Sequence, residues 1–141
     1  MTRIMSFLVI CVAILSISFK TTDPLAESIK RGKDIYSVSC VACHQADGKG
    51  MENIFPPLAK SDYLMADKKR SIKQVIYGAT DPITVNGVKY TTPMMALGSL
   101  SDEQIADVLN YVRNSWGNKG DKDIVKPEEV KKARSDKKKK G

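Results

Sequence analysis

Histidine is almost missing from this chain: there is one, His44, in 141 residues. A centre built on two imidazoles from one chain is thereby excluded, and no second histidine is left for acid–base work. Cysteine is scarce too. There are three, and Cys11 lies inside an N-terminal apolar run, so only Cys40 and Cys43 are free for chemistry in the rest of the chain. That apolar run, residues 4–19, has sixteen residues. At ~1.5 Å per residue a helix of this length reaches ~24 Å, short of a hydrocarbon core of ~30 Å. No internal repeat is visible, and the length suits one small domain with tails.

Arg3 precedes the apolar run and Lys20 closes it, which is the layout of a secretory signal peptide. Ser16 and Ser18 put small residues where a signal peptidase reads, so residues 1–18 are expected to be a signal peptide cleaved after Ser18, and the protein periplasmic. An uncleaved anchor, with Arg3 and Lys20 snorkelling to the interfaces, is the alternative. Cys11 follows Ile10 in mid-run, and reads as one more apolar residue rather than a lipid attachment site.

The net charge of +7 is concentrated at the other end. Residues 119–141 hold ten lysines and arginines against five acids, whereas residues 19–118 hold twelve against eleven. So polar a stretch has too little apolar surface to fold by itself. It is expected to be a disordered Lys-rich tail, at most a frayed helix over residues 127–134. A mobile positive arm attracts acidic protein surfaces or anionic lipid over a Debye length of ~8 Å. Export argues against nucleic acid as the partner.

Between these tails stands Cys40-Val41-Ala42-Cys43-His44. Two cysteines three apart with a histidine directly after the second is the spacing of c-type haem attachment. Each thiol adds to one porphyrin vinyl group, and the adjacent imidazole comes to lie under the iron as an axial ligand. A zinc site would need a fourth protein donor. A thioredoxin-like dithiol would want a βαβ surrounding, and a Cys40–Cys43 disulfide would close too small a loop to stabilise much. Motif and context favour haem.

Asp23 and Pro24 open the folded region as cap and first helical residue. Leu25, Ile29, Gly32 and Tyr36 recur at helical spacing, which predicts a helix over residues 24–40. Gly32 inside it costs roughly 1 kcal/mol against alanine, a cost that close approach of another helix explains. Residues 45–50 read as loop, and Phe55-Pro56-Pro57-Leu58 as a rigid extended segment. A short helix over residues 61–66 and a longer one over 67–77 follow. The second buries Ile72, Val75 and Ile76, with Asp67 as cap and Gly78 as terminator. Lys68, Lys69, Arg70 and Lys73 form a solvated face or a docking patch. Asn86-Gly87 between β-branched residues marks a tight hairpin over residues 83–90. Ser101 and Gln104 make a capping box, and Ile105, Val108, Leu109 and Val112 form the stripe of a helix ending near Trp116.

Iron in such a site accepts a sixth donor, and with His44 already used the remaining soft donor is a methionine thioether. Met51 is too close to the attachment loop, and Met65 falls on the hydrophobic side of a helix. Met94 and Met95 lie in an irregular loop that can bend sulfur to the metal, and the residues leave the choice between them open.

In this order of elements, residues 24–118 resemble a class I c-type cytochrome, a small bacterial monohaem domain. The run from Leu100 to Asn118 is a long and specific match. The resemblance implies an all-α cytochrome c fold, with three to four helices wrapped around one covalently attached haem c and its iron. The family pattern Asn-Gly-x-x-Tyr-x-x-x-Met falls on Asn86, Gly87, Tyr90 and Met94, which makes Met94 the sixth ligand opposite His44. Where the family usually has proline next, this chain has Met95, with Pro93 before. The resemblance further implies that Pro56 offers its carbonyl to the His44 imidazole, and that Leu58, Tyr63, Leu64 and Tyr90 wall the haem. It also implies that Gly32 and Tyr36 cross Tyr111 and Val108 on the last helix.

The expected function is one-electron transfer between redox partners by a monomeric periplasmic protein that is not an enzyme, at a positive midpoint potential. The alternatives are a haem enzyme or gas sensor, which would need an open sixth position and distal acid–base groups, and an electron-transfer subunit of a dehydrogenase or reductase complex.

Overall fold

Asp23 accepts a hydrogen bond from Leu25 N at 3.0 Å, and Pro24 occupies the first turn of helix α1, Pro24–Ser39. The computed structural model describes residues 23–120 and 122–138. The expected signal segment or anchor, Cys11 and the terminal Lys139 and Lys140 lie outside these residues. After α1 come α2 (Val41–His44), α3 (Asp62–Ala66), α4 (Lys68–Tyr77), strands β1 (Ile83–Val85) and β2 (Val88–Tyr90), α5 (Asp102–Arg113) and α6 (Pro127–Lys138). Two of these six helices, the single turn α2 and the C-terminal α6, exceed the three to four expected. No helix among the described residues is long and apolar enough to cross a membrane.

Asp67 caps α4 by accepting from Arg70 N, and Ser101 and Gln104 form the reciprocal box at the start of α5, both as expected. Ser61, expected as the first helical residue, is instead the cap of α3 and accepts from Leu64 N. The strands pair antiparallel, Ile83 with Tyr90 and Val85 with Val88. Their turn is tied to α3, because Asn86 N donates to the Asp62 carboxylate at 2.7 Å and Asn86 Oδ1 accepts from Asp62 N at 3.0 Å.

α5 is buried almost all round, from Ile105 through Asn110 and at Val112 and Arg113. One side of it meets α1, whose buried positions are Ser28, Gly32 and Tyr36 rather than Leu25 and Ile29. The reason is proximity: Gly32 touches the Asp107 backbone and Tyr111 Cβ, so only a small residue fits where the axes cross. Val108, expected at this crossing, also lines a cavity beside α5. Tyr36 packs at a tilt against Tyr111 and Trp116, with ring centroids 5.4 and 5.2 Å away. Polar groups complete the joint, since the Asp107 carboxylate accepts from Ser28 Oγ at 2.6 Å and from Arg31 Nε at 2.6 Å.

The expectation of a disordered tail is overturned for residues 122–138. Val125, Val130 and Ala133 join the hydrophobic core, Val130 with no exposed surface. Asn110 holds Val125 by both backbone groups, accepting from its N at 2.8 Å and donating to its O at 3.0 Å. Lys68 pairs with Asp123 at 2.7 Å and Glu129 at 2.9 Å, and Arg134 pairs with Asp102 at 2.7 Å. Composition speaks to folding alone. This segment folds against a finished surface, where three apolar side chains and a few matched charges suffice.

Candidate functional site

A cavity of about 410 Å³ lies between α5, α4, the hairpin and the loops after α2 and β2. All nine residues singled out from the sequence line it: Cys40, Cys43, His44, Pro56, Leu58, Tyr63, Leu64, Tyr90 and Met94. Most of the rest of the wall is apolar, with Phe55, Val75, Ile83, Val85, Leu97, Val108, Leu109 and Val112 among its members. Several of these were legible as buried stripes of α4 and α5, but a periodic pattern says which face is buried without saying what covers it. Gln74 and Asp81, polar residues of the wall, carry no signal in the sequence that marks them.

α2 is one helical turn that brings the motif to the wall. Cys40 and Cys43 are not joined in a disulfide, and the second is exposed. Burial pushes the Cys40 thiol up to about 11, with the neighbouring Cys43 charge adding to the effect. The His44 ring donates from Nδ1 to the Pro56 carbonyl at 3.0 Å, which fixes the ring and leaves Nε2 as its acceptor. Burial moves the imidazole below its usual value, the Pro56 hydrogen bond opposing in part. A neutral ring with one free nitrogen is what metal ligation requires.

The loop after β2 presents the two thioethers differently. Met94 is half-buried and its backbone pairs with Ala79 in both directions, at 2.8 and 3.0 Å. Gly78, which ends α4 at φ +76°, makes room for this, since a Cβ there would stand 2.4 Å from Met94 O. Leu97 N donates to Val75 O at 2.8 Å, tying the far side of the loop to the same helix. Met95 is 83 % exposed and stands on the rim of the cavity. Met51 is exposed and outside the cavity wall, and Met65 packs against the core.

The lysine-rich face of α4 is divided. Lys68 is taken up by Asp123 and Glu129, and the Arg70 guanidinium stacks over the Tyr63 ring at 3.6 Å while donating to Tyr63 O. The Tyr63 hydroxyl accepts from Gln74 Nε2 at 3.1 Å, so this member of the wall is held from three sides. Among the described residues no group of three or more His, Cys, Asp or Glu side chains is gathered as for a free metal ion. Two thiols, one oriented imidazole, two thioethers and an apolar enclosure are instead the donor set and surroundings of an iron porphyrin.

Comparison with known proteins agrees. The family model for cytochrome c matches residues 29–116. The chain is 37 % identical over 127 residues to cytochrome c-552 of Thermus thermophilus, covering 85 % of each chain. It is 40 % identical over 90 residues to the cytochrome c subunit of the quinone alcohol dehydrogenase of Gluconacetobacter polyoxogenes, spanning 62 % of this chain and 19 % of that one. With the cytochrome c subunit of gluconate 2-dehydrogenase of Pantoea cypripedii the identity is 35 % over 127 residues, 84 % of this chain and 28 % of that one. With the family model covering most of the folded region and the attachment motif in the cavity wall, the chain belongs to the cytochrome c family, and its cofactor is a covalently attached haem c with its iron.

Proposed function

We propose that this protein, an electron-transfer protein rather than an enzyme, is an exported one-electron carrier whose iron is ligated by His44 and Met94. The observation that supports it best is the meeting, in one apolar cavity, of Cys40, Cys43 and the Pro56-oriented His44 with a Met94 whose backbone is clamped to Ala79. When bound, the haem supplies a one-electron ferric/ferrous couple. The chain's part is to hold the ring through two thioethers, to set the orientation of the imidazole from the Pro56 carbonyl, and to exclude water with Leu58, Leu64, Tyr90 and the α5 side chains. A weak neutral sulfur donor and an apolar surrounding both disfavour the extra positive charge of ferric iron, so the midpoint potential is expected to be positive.

The reading places residues 1–18 as an export signal and the carrier as a periplasmic monomer that passes electrons between redox proteins. The basic excess of residues 119–141, on a segment docked over residues 122–138 rather than a free arm, faces acidic partners or anionic membrane surfaces; nucleic acid is not among its partners. The cytochrome subunits of alcohol and gluconate dehydrogenases among its relatives favour a second reading, in which it serves as the electron-transfer subunit of such a complex. Absorption spectroscopy tests the ligand set. The oxidised form should show the red band of methionine-sulfur ligation and the reduced form should not bind carbon monoxide. Carbon monoxide binding by the native protein would point to a sensor or enzyme instead. Crosslinking in the periplasm separates the free carrier from the subunit.

A further inference from the structure

Among the described residues the bulkiest fully buried side chain is a charged one, Arg113, at 2 % exposure. A guanidinium taken out of water is tolerated only with a counter-charge and well-placed acceptors. It has both. Nη1 donates to Leu64 O at 3.0 Å, and Nη2 donates to Asp123 Oδ2 at 2.9 Å. Nε has no partner among the described residues, so the side chain is held by its two terminal nitrogens alone. The two acceptors belong to different worlds. Leu64 is part of the haem cavity wall, while Asp123 belongs to the C-terminal segment that wraps back over α5. Gly120 closes that segment down on Arg113, since a Cβ there would stand 2.8 Å from Arg113 Cβ. Arg113 also follows directly on Val112, which with Val108 and Leu109 lines the cavity. A positive charge therefore sits immediately behind the haem wall, and its one carboxylate partner among the described residues comes from outside the region matched by the family model, which ends at residue 116.

We propose that Arg113 and Asp123 form a charge pair through which the C-terminal segment sets the electron affinity of the haem. The inference rests on the cavity holding the haem and is independent of which methionine ligates it. Oxidation removes one electron and leaves the iron centre one unit more positive. A cation behind the wall opposes that change, and the attached carboxylate offsets the cation. Asp123 is half exposed, with 52 % of its side chain open to solvent, so its own influence is partly screened. It acts through the buried guanidinium that it neutralises, and through the Leu64 carbonyl that the same guanidinium holds. Asp123 and Arg113 are thus positioning residues for the redox centre.

The test is the midpoint potential of the full-length, haem-loaded protein by spectroelectrochemistry. Asp123→Asn should raise it, and Asp123→Glu should restore it to the native value. Glu129→Gln also takes an anion from Lys68 but none from Arg113, and should leave it unchanged. Resistance of the C-terminal segment to proteolysis, followed in parallel, reports whether it stays docked, and an unaltered absorption spectrum in every variant separates this effect from a change of iron ligand. A native potential in a docked Asp123→Asn variant, or an equal rise in Glu129→Gln, overturns the proposal. Should Asp123→Asn release the segment, Arg113→Met, which removes the cation at similar volume, decides the matter: it must lower the potential, and an unchanged or higher value sinks the idea.

Discussion

Gly32 on α1 and the Asp107 carbonyl on α5 are so close that a Cβ at residue 32 would lie 2.0 Å from the oxygen and 2.5 Å from its carbon. Backbone meets backbone at this point, and nothing there can swing aside. Alanine would gain about 1 kcal/mol of helix propensity, but overpacking a joint of this kind costs roughly 1–3 kcal/mol or more. Gly32→Ala should therefore destabilise the holoprotein on balance, lowering its Tm by several degrees. Thermal unfolding followed by circular dichroism decides it, and a Tm at or above the native value would show that the helices can separate at little cost.

Replacing both thiols should undo the fold along with the cofactor. The Cys40→Ala/Cys43→Ala protein is expected either to lose its haem or to yield it to acid acetone, and to be largely unfolded without it, because the cavity walls are apolar side chains from several elements and loops that the haem covers. A folded, haem-free domain would count against the cavity's being the haem site.

The two methionines should behave differently. Met94→Ala is expected to abolish the methionine-sulfur band, to open the iron to exogenous ligands and to lower the potential. Met95→Ala, at a side chain 83 % exposed, should keep band and potential near native. Reversed outcomes would shift the ligand by one residue.

Truncation after Asn118 removes part of the core. Val125 and Val130 are buried to 2 % and 0 %, each contributing about 1.5–3 kcal/mol of apolar burial, and Arg113 loses its counter-ion. The truncated holoprotein should be less stable by roughly 3 kcal/mol or more, measurable as an earlier urea midpoint. A coincident unfolding curve would mean that α6 adds nothing in solution.

Docking of α6 should depend on pH at both extremes. At Glu129 burial raises the carboxyl's value, but hydrogen bonds from Lys126 N and Lys68 outweigh it and the net value is lowered. That contribution is complete above the unfolded glutamate value of about 4.3 and is lost as the pH falls through the lower folded value. At Lys68 burial pulls down, but hydrogen bonds to Asp123 and Glu129 prevail and the net value is raised. Its contribution is present below about 10.4 and lost as the pH rises through the higher folded value. Hydrogen exchange of α6 should therefore be flat across neutral pH, with protection falling in acid and in strong alkali. Protection lost already between about pH 6 and 8 would show that other groups hold the helix.

Local signals carried most of this architecture into the sequence. Asp23, Asp67 and Ser101 each cap the helix they were expected to cap, because a short polar side chain before a periodic segment has few other uses. The nine cavity residues were legible because an attachment motif fixes its own chemistry and a family pattern extends it. What stayed hidden depends on pairing between distant segments. The buried stripe of α1 is Ser28, Gly32 and Tyr36 because of what α5 presents, and no pattern within α1 reveals that Ser28 meets Asp107 seventy-nine residues away. The C-terminal segment looked unfoldable for the same reason. Its partners Asn110, Arg113 and Lys68 read as surface polar groups until the chain returns over them.

The ladder between Ala79 and Met94 bears on speed as well as on affinity. A donor whose main chain is hydrogen-bonded in both directions to the end of α4, beside a glycine that admits it, is held in place by the scaffold whatever the charge on the iron. With Met94 as the proposed sixth donor, gain and loss of an electron then call for little movement of the coordinating atoms. The reorganisation energy of the couple should be small, and self-exchange between two copies correspondingly fast, governed by how closely their haem edges approach rather than by rearrangement around the metal.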